Sequence, residues 1–332
     1  MNNPKRLYVF DNIKTFLIIL VVFGHILELI TSRLGDMAYT FIYMFHMPMF
    51  VFCSGYFAKF NPMKILTRLA VPYLIFQLVY TLFGMIILGN TGLVIQFTTP
   101  FWILWFLFAL IVWMLLLPII DALTDTKLRA AAVVAASFVL GILAGFEDTM
   151  GYYMSLQRIF YFLPFFVSGY CVKKWVDPDV FVQFFRMRRT RIVFGVLTAG
   201  IAAFVFLFND MIYVRWLWAA FSYERLAHTG YTFVIRILLY LAAIIISAAV
   251  ISFIPLGKLF FSYVGERTLQ VFLLHGFVVF IFDMLRIDYF FSGFVILGIV
   301  LLTTLFIVFA FSSRLFSVSF WPGLFFMKGG TK

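Results

Sequence analysis

Ten long apolar runs, joined by short polar connections, leave this 332-residue chain few ways to fold. They fall at about 10–31, 38–58, 68–89, 101–121, 130–146, 158–175, 191–209, 233–254, 263–285 and 291–312 on a hydropathy reading. A bilayer core of ~30 Å takes about 20 helical residues. In hydrocarbon every backbone N–H and C=O must be satisfied within the protein, so runs of this length predict helices. With 64% hydrophobic and 12% charged residues and a mean hydropathy of +1.08, the soluble classes are excluded, since a soluble domain is about a quarter charged. The expected fold is all-α, a polytopic transmembrane bundle of about ten helices forming one domain over residues 1–332. No hydrophilic stretch is long enough for a separate soluble domain, and the first run is expected to stay in the chain rather than be cleaved as a signal.

Charge orients the bundle. With the N-terminus in the cytoplasm, Arg33, Arg158, Arg215, Arg225, Arg236 and Arg286 lie outside, and the rest of the 25 Lys and Arg lie inside, as the positive-inside rule requires. The 173–191 connection alone supplies Lys173, Lys174, Arg186, Arg188, Arg189 and Arg191. Acidic Glu147, Asp148, Asp210, Glu224, Asp283 and Asp288 fall mainly outside. Ten spans put the C-terminus back in the cytoplasm. The net charge of +11 is thereby explained by topology, without nucleic acid. Cys53 and Cys171 both fall in predicted spans with no ligand spacing, so buried thiols are expected, and neither a metal nor a disulfide.

The first run, RLYVFDNIKTFLIILVVFGHILELITS, carries Asp11, Lys14, His25 and Glu28. At about 100° per residue, and with Asp11 as zero, Lys14 points to about −60°, His25 to about −40° and Glu28 to about −100°. All four share one stripe. A Lys or Asp at a helix centre costs on the order of 2.5–3.5 kcal/mol on insertion scales, so four aligned polar groups mark a site. Lys14 lies near the cytoplasmic face and His25 about 16 Å further along, in the outer half. The second run, YTFIYMFHMPMFVFCSGYFAK, returns inward and brings His46 to a similar depth, with Tyr43 one turn away. Lys64, Arg68 and Pro72 open the third run at the inner surface. The ninth contains GERTLQVFLLHGF, with Arg267 near the inner surface and His275 near mid-membrane.

The Lys14–(ten residues)–His25 spacing, FHMPMFVFCSGYF, the Arg68–Pro72 start of the third run, WFLFAL in the fourth and GERTLQVFLLH in the ninth together resemble the integral-membrane acyltransferase-3 family. Within it the sequence looks most like the fucose 4-O-acetylase-like branch of bacterial proteins. The resemblance covers nearly the whole chain. It implies a plasma-membrane O-acyltransferase that takes an acyl group, commonly acetyl, from cytoplasmic acyl-CoA and esterifies an extracytoplasmic carbohydrate. It implies acetyl-CoA as donor substrate and no permanently bound cofactor. The basic residue of the family's first-helix signature is Lys14 here, where many members have Arg, and Lys offers no planar fork to a phosphate.

Residue chemistry agrees. A sugar hydroxyl attacking a thioester needs a base, and histidine suits that role, worth about 10²–10⁴ in rate. His25 is the expected base. His46 is expected as a second base, an orienting partner or an oxyanion donor. Lys14, oriented by Asp11 at i, i+3, together with Lys64 and Arg68, is expected to meet the phosphates of CoA. Glu28, Tyr43, Arg158 and His275 are the candidates for the acceptor side. The aromatic-rich 209–232 connection reads more simply as an interfacial belt. The competing reading is a transporter or glycan-export component that uses the polar stripe as a path.

Overall fold

The computed structural model describes residues 8–286 and 293–316; both termini and Asp288 lie outside them. Among the described residues the regular structure is helical throughout, with no strand. Eight helices are long and apolar enough to cross a bilayer: α1 (Tyr8–Leu27), α2 (Arg33–Tyr56), α3 (Pro62–Ile86), α4 (Trp102–Leu123), α5 (Lys127–Phe146), α8 (Arg188–Met211), α9 (Phe233–Phe253) and α11 (Phe294–Phe311). Two more occupy the expected sixth and ninth runs. Of these, α6 (Leu156–Trp175) has the length but carries Arg158, Lys173 and Lys174, while α10 (Thr268–Met284) has only 17 residues. The basic 173–191 connection holds one unanticipated helix, α7 (Pro178–Arg186). The Asp177 carboxylate caps it by accepting from the backbone N–H groups of Asp179 and Val180, and Pro178 takes the first turn, where its missing N–H costs nothing.

Lipid tails are as apolar as leucine, so helix association in a membrane depends on close packing and internal hydrogen bonds rather than on hydrophobic drive. The chain divides into two compact units, one of residues up to Tyr39 with those from Ile254 onward, the other from Thr40 to Phe253.

In the first unit, α1 packs against the 3-10 turn Ser262–Glu266, α10 and α11. Gly265 makes this possible, because a Cβ there would collide with the backbone carbonyl of Asp11. Asn12, fully buried, donates to the carbonyls of Pro255 (2.8 Å) and Gly257 (2.9 Å) and accepts from the Ser262 hydroxyl (2.6 Å). Across the same unit, Arg267 donates to the Ser312 carbonyl at 2.7 Å and Gln270 to those of Phe311 and Ser313. These side chains satisfy the carbonyls that a helix end such as that of α11 leaves without intrahelical partners.

In the second unit, α2 and α6 cross backbone to backbone. A Cβ on Gly55 would strike the Phe166 carbonyl, and one on Gly169 the Phe52 carbonyl. Gln77 of α3 clamps the following connection, donating to Gln96 and Thr99 carbonyls and accepting from the Phe101 N–H. Arg236 of α9 is completely buried. Its guanidinium donates to the Tyr231 hydroxyl (3.0 Å) and to the carbonyls of Gly141 (2.8 Å) and Phe221 (3.1 Å), among the rings of Tyr161, Tyr223 and Tyr231. Burial raises the phenol of Tyr223 to about 12 and raises that of Tyr231 as well, so both stay neutral. Dipoles and carbonyls therefore hold this cation. Cys53 and Cys171 are both buried and neither forms a disulfide.

Candidate functional site

The polar stripe of α1 divides into two pairs. At its first end, the Lys14 ammonium lies 3.1 Å from the Asp11 carboxylate. Asp11 is buried and Lys14 half-buried. The pair forms where the Asn12–Ser262 bond and the Gly265 contact fix α1 against the GERT turn, so the fold holds this end of α1 firmly. Asn12, which ties this end of α1 to Pro255, Gly257 and Ser262, is not flagged by the charge pattern alone; an amide inside an apolar run is the signal for it.

Eleven residues along, about 16 Å at the helical rise, His25 is half-buried with Nδ1 at 3.6 Å from a Glu28 carboxylate oxygen. That separation is too long for a hydrogen bond. It places a negative charge beside the ring where an imidazolium would form. On the ring's other contact, His275 of α10 stacks on His25 with centroids 5.5 Å apart and planes 27° from parallel. His275 is fully buried, and its Nδ1 meets the carbonyls of Val271 (3.1 Å) and Phe272 (2.8 Å). Carbonyls only accept, so Nδ1 carries a proton. The structure thus brings Glu28, His25 and His275 together, although His25 and His275 are 250 residues apart in sequence.

The other candidates belong to the second unit. His46 is buried, with Nδ1 2.8 Å from the Ile42 carbonyl, which again puts the proton on Nδ1. Its ring meets Tyr43 edge-on at 4.7 Å. Pro48, two residues on, lies inside α2, where it withdraws a backbone donor. Lys64 and Arg68 are exposed. The Asn61 side chain caps the start of α3 by accepting from the Lys64 N–H, and Arg68 lies within a π-helical stretch, Leu66–Ala70. Such irregular turns are frequent at functional sites. Neither side chain is ion-paired among the described residues. Arg158, in the first turn of α6, donates from Nε to the Trp218 carbonyl at 3.0 Å and lies over the rings of Trp105 and Tyr152.

Within the first unit the arrangement is suited to proton transfer and electrostatic stabilisation at His25; within the second, the start of α3 carries exposed cations suited to an anionic ligand. Comparison with known proteins bears on which chemistry it serves. Over 55 residues the chain is 49% identical to the nodulation protein NolL of Sinorhizobium fredii (strain NBRC 101917 / NGR234), a stretch covering 15% of each protein. No solved structure matches the chain. Residues 7–313 match the family model described as an acyltransferase domain. A match running over nearly the whole chain, on a helical scaffold of membrane-spanning length, makes this protein a member of the acyltransferase-3 family.

Proposed function

We propose that the protein is a membrane O-acetyltransferase of the bacterial plasma membrane. It moves an acetyl group from cytoplasmic acetyl-CoA to a hydroxyl of an extracytoplasmic carbohydrate, with His25 as general base. Both termini lie in the cytoplasm and ten helices cross the bilayer, α6 and α10 among them. The observation that carries the reading is His25 itself, set between the Glu28 carboxylate and the His275 ring on a helix whose other polar pair is Asp11–Lys14.

In this mechanism the acceptor hydroxyl gives its proton to His25 as its oxygen attacks the thioester carbonyl. The tetrahedral oxyanion then collapses, the C–S bond breaks, and the imidazolium returns the proton to the leaving CoA thiolate. Glu28 stabilises the imidazolium between the two steps, an interaction that exists only once the proton has moved. The buried neutral ring of His275 holds the plane of His25. His46, its tautomer set by Ile42, serves as oxyanion donor or as a second orienting group, with Tyr43 beside it on the acceptor side. Lys64 and Arg68 receive the phosphates of CoA, Arg68 by a bidentate fork, and Lys14 adds positive charge oriented by Asp11.

Membranes carrying the protein or its His25→Ala variant, given acetyl-CoA labelled in the acetyl group, test this. Base-labile label in the carbohydrate fraction should fall by about 10²–10⁴ in the variant. Equal ester from both at equal expression would overturn the assignment of the base. Loss of carbohydrate export with an unchanged acetyl content would favour the transport reading instead.

A further inference from the structure

The 209–232 connection is not a row of rings set at helix ends. Three 3-10 turns, at Asn209–Met211, Val214–Trp216 and Ala227–Thr229, fold it. Arg236 grips the Phe221 carbonyl, the Tyr223 hydroxyl donates to Ile142, and Asp148 binds both Ser222 and Arg225. An interfacial belt needs none of this anchoring, because single amphipathic rings suffice.

Two arginines bracket Trp218 on this cap. Arg158 donates to the Trp218 carbonyl and lies 5.0 Å from the Trp105 centroid and 5.7 Å from that of Tyr152. Arg215 lies 5.9 Å from Tyr213, 6.0 Å from Trp218 and 5.9 Å from Phe221. Tyr152 and Arg215 are exposed, and Trp105, Trp218 and Phe221 are half-buried, so the rings keep open surface. Arg225 is paired with Asp148 at 2.8 Å, whereas Arg215 has no carboxylate in ion-pair reach among the described residues.

The backbone beneath the cluster is strained. Among the described residues, five that are not glycine have positive φ, and four of them lie in the segments that build it: Trp102 (36°), Met154 (50°), Ser155 (51°) and Ala219 (53°). Such conformations persist only where the surroundings over-determine them, and they concentrate at ligand clamps.

We propose that Trp105, Tyr152, Trp218 and Phe221, with Arg158 and Arg215, form a subsite for an acidic sugar unit of the acceptor. The rings meet the apolar C–H face of the pyranose, and the guanidinium groups, already stacked on aromatic faces, meet its carboxylate. This rests on the carbohydrate-acceptor reading above and adds to it the charge of the sugar recognised.

The test uses the full chain in neutral detergent, titrated with oligogalacturonate and with a neutral oligosaccharide of equal length, and read by tryptophan fluorescence and calorimetry. The acidic ligand should bind at least about tenfold more tightly, an advantage that shrinks with salt. Arg215→Gln should reduce the advantage severalfold and leave neutral binding unchanged, the remainder resting on Arg158, Arg215→Lys should keep more of it, and Trp218→Ala should weaken both ligands. Acyl-CoA binding by the same preparations verifies folding. Equal affinity for the two saccharides, or an Arg215→Gln protein that prefers the acid as strongly as the parent, overturns the subsite. Occupation by phosphatidylglycerol in place of any saccharide assigns the platform to lipid headgroups and also overturns it. Arg215-dependent binding of the acid without any acetyl transfer would sustain the subsite while the proposed chemistry fails. Acetylation of a neutral glycan, unaltered in Arg215→Gln, would do the reverse.

Discussion

Replacing Glu28 by Gln removes a charge from beside His25 while keeping the shape of the side chain. Two unit charges 3.6 Å apart interact by about 1.2 kcal/mol at the dielectric of water and about 4.6 kcal/mol at an effective value of 20. The His25 side chain is 16% exposed and that of Glu28 34%, so solvent screens the pair and the lower end applies, about 1–2 kcal/mol. That corresponds to a loss of about 5- to 30-fold in rate. Because the attraction acts only on the imidazolium, the loss should appear in kcat, with KM for acetyl-CoA unchanged. Steady-state acetyl transfer in proteoliposomes, with labelled acetyl-CoA inside and acceptor outside, measures both constants. Raising the salt concentration should narrow the gap only slightly, since the pair is far closer than a Debye length. A Glu28→Gln enzyme within twofold of the parent, beside an inactive His25→Ala, would refute the claim that the carboxylate supports the imidazolium. A rise in KM without a fall in kcat would move Glu28 to ground-state binding.

Other outcomes follow from the same structure. Arg68→Gln should raise KM for acyl-CoA about tenfold with a smaller change in kcat, the cost of one charge-assisted phosphate contact; an unchanged KM removes Arg68 from the donor site. Gly55→Ala should lower the melting temperature in detergent, by an overpacking cost of about 1–3 kcal/mol against the Phe166 carbonyl. Gly200→Ala, where a Cβ meets nothing within 4 Å, should be neutral or slightly stabilising. Hydrogen bonding from Ser222, and then from Arg225, holds the Asp148 carboxyl below its ordinary value. A carboxyl depressed in this way contributes stability that is full above its unfolded value, near about 3.9, and is lost as pH falls through the depressed one. Protease cleavage within 209–232 should therefore be slow at neutral pH and quicken below about pH 4, and Asp148→Asn should cleave faster at pH 7 with little further response to acid.

The sequence carried the helices because a bilayer imposes them: an apolar run of twenty residues has one economical backbone. It also carried the stripe of α1, since Asp11, Lys14, His25 and Glu28 repeat at helical spacing within a single segment. Contacts made across long separations were not legible in the same way. Nothing local to His275 says that it stacks on His25, and nothing near Arg236 says that three tyrosines and two carbonyls enclose it; as a lone cation beside a span it reads as an outer flanking charge. The glycines of CSGYF and GERT stand out in sequence, but their reason appears only where Phe166 and Asp11 press against them. The helix α7 was hidden for another cause. Nine residues among so many basic neighbours give too short a pattern to separate from a loop, and its start depends on a single cap, Asp177.

The π-helical stretch that carries Arg68 has a consequence for how this protein tolerates change in length. A π turn spends one residue more than an α turn, so Leu66–Ala70 behaves as an insertion that α3 has absorbed without breaking. Deleting one residue there would restore an ordinary helix and leave the segments before and after it in the same relative direction, because a π turn carries its extra residue within a single turn. Composition, hydropathy and helix content would scarcely register the loss. Lys64 would keep its direction relative to the clamp that Gln77 makes further along the same helix, and only the turn that carries Arg68 would be re-aimed. A single missing residue would thus spare the helix on both sides and fall on the direction of Arg68 alone.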